Sequence, residues 1–412
     1  MITYAGTSGA TEPPRATPRR RRHAVTRAVL MCSAAVLASG LLAGCGNGDT
    51  CSRGGCTRPP SAQSASVAAG APAWAGWPGA PVVTTLSPDA RAQLSMPLDG
   101  MSLAVSSDGA RLLGVDSSGD VEEWNLRSGA ARKLPGLGSS QANYTIAVSP
   151  DLSTLAVADA TDVVTQQTAT GKQLGDASLD FGTNFLSVPG QPGTGQPGVA
   201  FSPDGNLVAY NDSHGNVYLL NVTTQATQVL PAPAAPPSSQ TNGMDALAFS
   251  PNGKTLAVGT YTGAIFLWNV PARRLLATLN DLADTSSDAQ FTGRSQVEAL
   301  AFGESGALLA AGDQNGNVYL WDVGRRRVTG ALAGSPAVSS AGTGSLAFSP
   351  DGGLLAASFA SDIRVWSVGT GRRLAILDGA NSVPSGPIAF ALGGQLLVSL
   401  ENTGPITEWD LR

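Results

Sequence analysis

LAFSPNGKTLAVGTYTGAIFLWNV, residues 247–270, reads as three short strands joined by tight turns. Small apolar residues and an aromatic in Leu247, Ala248 and Phe249 lead into Ser250-Pro251-Asn252-Gly253. There Pro fixes φ and Gly supplies a positive φ, which suits a buried strand entering a tight turn. Thr255 to Thr260 is a second strand, small and apolar, as a strand enclosed on both faces must be. A third runs through Phe266 and Trp268. The opening strand and turn recur as LAVSSDG (103–109), IAVSPDL (146–152), VAFSPDG (199–205), LAFGESG (300–306), LAFSPDG (346–352) and IAFALGG (388–394). The seven copies end 43, 53, 48, 53, 46 and 42 residues apart.

A period near about 40 to 45 residues with variable loops is that of four-stranded propeller blades. Composition agrees. The chain is 42% hydrophobic and 13% charged, with 50 Gly, 27 Pro and three Lys, too few Lys for helical bundles built on i,i+4 ion pairs. An all-β chain follows, and the repeats make it a seven-bladed propeller over residues 84–412.

The third strand carries one tryptophan per blade. VEEWNL, IFLWNV, VYLWDV, IRVWSV and ITEWDL place Trp124, Trp268, Trp321, Trp366 and Trp409 in register, with Gln166 and Leu220 at that position in copies two and three. Here the chain resembles the WD-repeat β-propeller family, in a divergent bacterial branch. Trp321-Asp322 and Trp409-Asp410 show the Trp-Asp dipeptide; Trp124-Asn125, Trp268-Asn269 and Trp366-Ser367 soften it. The family's Gly-His dipeptide is missing from every repeat. Where the second-to-third-strand turn should hold Asp, the chain has Ser118, His214, Thr262 and Asn315. The Asp-His-Ser/Thr-Trp hydrogen-bond network therefore cannot form, and packing of small residues is expected to hold the blades.

The last repeat stops after its third strand, so residues 91–97 are expected to pair beside Ile406–Leu411 and close the ring with strands from both termini. The closing strand then starts on the face of the third-to-fourth-strand turns, termed proximal. Proximal turns collect bases, among them Lys133, Lys172, Arg273, Arg274, Arg325, Arg326, Arg327 and Arg412. The distal face gathers Asp116, Asp212, Asp281, Asp284, Asp288, Asp313, Asp362 and Glu401 against Arg294, and these residues form the candidate interaction face, together with the insertions 181–197, 231–244, 280–297 and 333–344.

Residues 1–44 read as a signal peptide: Arg19 to Arg22 precede an apolar run from Ala28 to Ala43 too short for comfortable spanning. The run ends Leu42-Ala43-Gly44-Cys45, which resembles a bacterial lipobox and implies lipidation of Cys45. From 45 to 83 the Gly/Ser/Ala/Pro composition describes a flexible tether. Within it Cys51 and Cys56 either close a small disulfide loop or stay free. Trp74 and Trp77 either touch lipid, dock on the folded domain or pack loosely.

Function is read largely by exclusion. Beyond residue 44 there are 19 basic and 29 acidic groups, which argues against a nucleic-acid surface. His23 and His214 are the only histidines, a poor inventory for imidazole catalysis or metal sites; no catalytic, cofactor or metal residue is assigned. The expectation is a membrane-anchored extracytoplasmic lipoprotein, monomeric, acting as a non-enzymatic interaction scaffold for a protein or peptide that is basic at the contact. Binding of a small ligand, saccharide or cation at the channel mouth is the alternative, and a propeller hydrolase or lactonase the less favoured one.

Overall fold

The computed structural model describes residues 74–86, 89–94, 100–116, 118–137, 145–158, 162–178, 198–211, 216–230, 244–261, 263–280, 296–332, 342–359, 362–377, 386–400 and 406–412. Seven antiparallel four-stranded sheets account for every strand among the described residues. Their inner strands are Gly100–Val105, Thr145–Val148, Val199–Phe201, Met244–Phe249, Val297–Phe302, Thr343–Phe348 and Ile388–Ala391. Each inner strand lies against the inner strands of both neighbouring blades, the last against the first, so the sheets form a closed ring. The fold is a seven-bladed β-propeller. Gln63–Arg412 is one unit; Met1–Ala62 is another and lies outside the described residues.

The inner strands are half-buried rather than fully buried as the pattern suggested, because one edge and part of each face look onto the central channel. Burial is complete one strand further out. Leu308–Asp313 and Leu354–Phe359 are buried along their whole length, and their alanines let neighbouring sheets approach. Seven apolar clusters result, one between each pair of neighbours.

The tryptophan column fills these interfaces. Trp124, Trp268, Trp321, Trp366 and Trp409 are all buried, each opposite a Leu of the second strand: Leu112, Leu256, Leu309, Leu355 and Leu397. Gln166 stands opposite Leu155 at the same register and donates to the Gly136 carbonyl at 3.3 Å. The space that a Trp would fill between blades 1 and 2 is taken by Leu137 and Leu152. Leu152 sits at φ +61° where other copies carry Gly, so burial of its side chain offsets the strain. The expected loss of hydrogen bonding to the column holds for Trp268, whose indole N–H finds no acceptor among the described residues. It fails in the last blade, where Trp409 Nε1 donates to Ser399 Oγ at 2.9 Å.

The ring closes as expected, with a shift in bounds. The strand beside Ile406–Asp410 is Asp89–Leu94, two residues earlier than 91–97, with Asp89 opposite Asp410 and Leu94 opposite Ile406. It starts on the proximal side and is kinked between Ala90 and Ala92. The expected boundary at 84 is also corrected. Residues 74–83, read as tether, pack on the propeller: Trp74 is 8% exposed in the cluster of blades 5 and 6. An indole pair removes enough apolar surface to hold a segment that its Gly/Pro composition alone leaves unordered.

Candidate functional site

Of the carboxylates that the sequence placed in distal turns, Asp116, Asp313 and Asp362 are buried. Asp116 is fully buried, and its Oδ1 accepts from Ser118 N, Ser118 Oγ and Asp120 N at 3.0, 2.7 and 2.9 Å. Asp313 does the same in blade 5, accepting from Asn315 N and Asn317 N at 2.9 and 2.7 Å. Both tie a second-to-third-strand turn from inside, the Asx chemistry that tight turns favour. Asp362 is paired with Arg364 through two bonds, 2.8 and 3.0 Å, and the guanidinium lies 5.0 Å from the centre of the Phe359 ring. Arg364 was missed as a distal base because its strand, Ile363–Ser367, reads as core; it occupies the register position that is Tyr319 in blade 5. Lys133, expected proximal, reaches Asp120 in a distal turn at 2.7 Å. Asp116, Asp313 and Asp362 are thus removed from a solvent-facing interaction face. Asp212, Asp281, Asp284, Asp288, Arg294, Glu401 and His214 lie outside the described residues, as do Cys45, Cys51 and Cys56. Among the described residues no three His, Cys, Asp or Glu gather as a metal site would require.

On the proximal face, the Ser-Pro-Asp-Gly turns hold more than the φ preferences of Pro and Gly. Ser149, Ser202 and Ser349 each donate to the Asp two residues on, Asp151, Asp204 and Asp351, at 2.6 Å. Each Ser Oγ also accepts from the amide five residues on, Thr154, Leu207 and Leu354, at 2.9, 2.9 and 2.8 Å. Blade 4 keeps the same relay with Asn252 in place of Asp. The Ser hydroxyls hold the carboxyls of Asp108 and Asp204 below the usual range. At Asp151 burial acts against ionisation, but Ser149 and Ser153 outweigh it and the pKa is again lowered. Several proximal bases are spoken for: Arg325 pairs with Asp322 at 2.6 Å, Arg132 with Glu123 at 2.7 Å, and Arg412 with Asp410.

The rim carries a feature that composition hid. Trp74 and Trp77 stack with centroids 6.4 Å apart and planes 13° from parallel. Trp74 N–H donates to the Ala331 carbonyl on the outer strand of blade 5, Arg327–Leu332, at 3.1 Å. Trp77 N–H donates to the Val368 carbonyl of blade 6 at 2.7 Å. Two glycines make the seat: a Cβ at Gly330 would lie 2.6 Å from Trp74 Cα, and one at Gly371 2.4 Å from the Trp74 carbonyl oxygen. The propeller therefore holds a segment of its own chain, turned between Trp77 and Ala80, in the cleft between blades 5 and 6. Between blades 3 and 4 the corresponding cleft is open, with a volume of about 520 Å³, lined by residues that include Asp204, Leu207, Leu219, Gln228, Lys254 and Val270.

Comparison with known proteins agrees with this architecture. Residues 233–404 match a β-propeller family described as "Nucleolar protein 10-like, N-terminal domain". Among solved structures, the chain is similar to the β-propeller domain of Cps50 (Swd1) from Myceliophteria thermophila, with 17% identity and a TM-score of 0.62 over 79% of this chain and 100% of that one. No curated protein matches. At that identity the likeness is one of fold.

Proposed function

We propose that this chain is an exported lipoprotein, held at the outer side of a bacterial cell membrane through Cys45, whose propeller is a non-enzymatic scaffold for another protein. The observation that carries the scaffold reading is the seat of Trp74 and Trp77. The rim grips a turned stretch of the chain by a main-chain bond to each of two blades and a stacked indole pair. Edge-strand pairing with side-chain pockets is a general mode of peptide recognition, and a propeller supplies several such edges at repeated positions. Fold alone does not carry function; the rim seat is a site with defined geometry.

Support for export and anchoring comes from the order of charge, apolar run and small-small-Cys in residues 19–45. Two experiments test the parts separately. Photo-cross-linking and capture of the full chain from intact cells is expected to return a protein partner above a mock control; a clean blank counts against the scaffold. Cys45→Ala is expected to move the protein from the membrane fraction to the soluble fraction or medium, and unchanged fractionation counts against the anchor.

A further inference from the structure

We propose that the proximal rim of blades 5 and 6 is a membrane-contact surface for an anionic bilayer, with residues 77–82 at the apolar boundary and the arginines around them on the headgroups. This deepens the anchored-lipoprotein reading, on which it rests, by stating which surface of the propeller meets the lipid.

Beyond Trp77 the chain turns and crosses the proximal turns of blade 6. A Cβ at Gly369 would stand 2.8 Å from the Pro81 carbonyl oxygen and 3.1 Å from Val82 Cγ2, and one at Gly353 would stand 3.2 Å from Pro81 Cβ. The bare turns let the segment lie close, yet it covers them with its inner side only. Pro78, Pro81 and Val82 are exposed and Trp77 is half-buried. Val82, at 63%, is more exposed than any other large hydrophobic among the described residues. Apolar side chains turned outward beside an indole suit the membrane interface, where Trp is enriched.

Charge is concentrated in the same sector. The third-to-fourth-strand turn of blade 5 carries Arg325, Arg326 and Arg327 and that of blade 6 carries Arg372 and Arg373, all exposed. Arg325 pairs with Asp322, whereas Arg326, Arg372 and Arg373 make no ion pair among the described residues. Five guanidiniums thus stand against three carboxylates in these proximal turns, Glu304, Asp322 and Asp351. The proximal turns of blades 2 and 3 hold one base, Lys172, against Asp151 and Asp204. Attraction to anionic lipid therefore brings the edge of blades 5 and 6 down and leaves blades 2 and 3 away.

The route of the chain acts in the same direction. The described chain enters the fold at Trp74 in this sector, and Cys45 lies 29 residues before it. An anchor at Cys45 keeps the rim within about 100 Å of the lipid however the intervening residues run, so a contact that is weak alone is sustained by proximity. A bilayer fits this rim better than a protein does. Bases on two turns around a raised apolar segment suit a surface of many equivalent headgroups, whereas a protein needs a complementary shape, and the cleft that could supply one is filled by Trp74.

The test uses the full chain, reconstituted into phosphatidylcholine vesicles with or without phosphatidylglycerol, with an environment-sensitive fluorescent amino acid replacing either Val82 or Gln314, which is exposed in a distal turn of blade 5. Lipids bearing a nitroxide near the headgroup are expected to quench position 82 at least about fivefold more than position 314 when phosphatidylglycerol is present, and that preference should fall about fivefold in Arg326→Gln or Arg372→Gln, each lacking one base. Lys172→Gln, across the ring on blade 2, should leave it unchanged. Equal quenching at 82 and 314, indifference to both arginines, or the same preference without phosphatidylglycerol overturns the surface. Shielding of position 82 in intact cells with none in vesicles assigns the rim to a protein and overturns the bilayer as well. The anchor is judged separately by the fractionation of Cys45→Ala: preferential quenching at 82 with unchanged fractionation keeps the surface and removes the lipid anchor, and the reverse pair of results keeps the anchor alone.

Discussion

Truncating Trp74 to Ala tests whether residues 74–83 belong to the folded unit. Burying an indole removes on the order of 200 Å² from water, about 5 kcal/mol at ~25 cal/mol per Å². The loss cannot reach that figure, because an N-terminal segment that has lost its anchor can leave its seat, and the cost then stops at the free energy of docking. Ordering the backbone consumes about 1–2 kcal/mol per residue, so docking is a small difference between large quantities. A loss of about 2–4 kcal/mol is expected in urea unfolding. Hydrogen exchange gives the sharper readout: the Trp77 amide, bound to the Val368 carbonyl, should lose protection while amides of blades 1 to 3 keep theirs. Gly330→Val attacks the same seat from the other side, since its Cβ would press on Trp74 Cα, while Val suits the strand it stands in. A loss under about 1 kcal/mol in Trp74→Ala, with Trp77 still protected, would refute the docking.

Trp409→Phe should cost about 1 kcal/mol more than Trp268→Phe, because only Trp409 donates a hydrogen bond, to Ser399; equal losses by chemical denaturation would contradict the assigned bond. Ser349→Ala leaves the Leu354 amide without its side-chain acceptor and should cost about 1–3 kcal/mol, against well under about 1 for Asp351→Asn, since blade 4 already uses Asn252 in that relay. The depressed pKa values of Asp108, Asp151 and Asp204 mean that the unfolded chain binds protons first; their stabilisation is full above the unfolded carboxylate pKa and is lost as pH falls through the lower folded values, so urea midpoints should drop below about pH 4. Arg364→Leu strands the Asp362 carboxylate beside Phe359 and should cost about 3–5 kcal/mol, recovered in part by adding Asp362→Asn; no recovery would count against the pair.

The repeat made the blade number, the ring closure and the tryptophan interfaces legible, because each is a periodic property: Ser-Pro-Asp-Gly marks one edge of a blade and the Trp column its buried side. What was not legible depends on individual side chains. Asp116 and Asp313 looked like surface charge in turns, yet a carboxylate in a Gly-containing turn finds backbone donors closer than solvent. Arg364 alternates with apolar neighbours as a core residue does, and only its partner two residues earlier shows why a charge is tolerated there. Trp74 and Trp77 were visible as aromatics in an unpromising stretch, but nothing in that stretch states that Gly330 and Gly371, some 250 to 300 residues away, leave a seat for them.

The seat also bears on which surface the proposed anchor would favour. A tether leaving from the start of the closing strand at Asp89 would turn the proximal face, with Arg326, Arg327 and Arg373, toward anionic headgroups. The described chain instead meets the propeller at Trp74, in the rim cleft of blades 5 and 6, and only then runs to the closing strand. Val368, which accepts from Trp77, and Gly371, which lies against Trp74, belong to the third-to-fourth-strand turn of blade 6, so under the proposed anchoring a pull from Cys45 would be applied at the proximal end of that cleft and would still favour the proximal face toward the membrane.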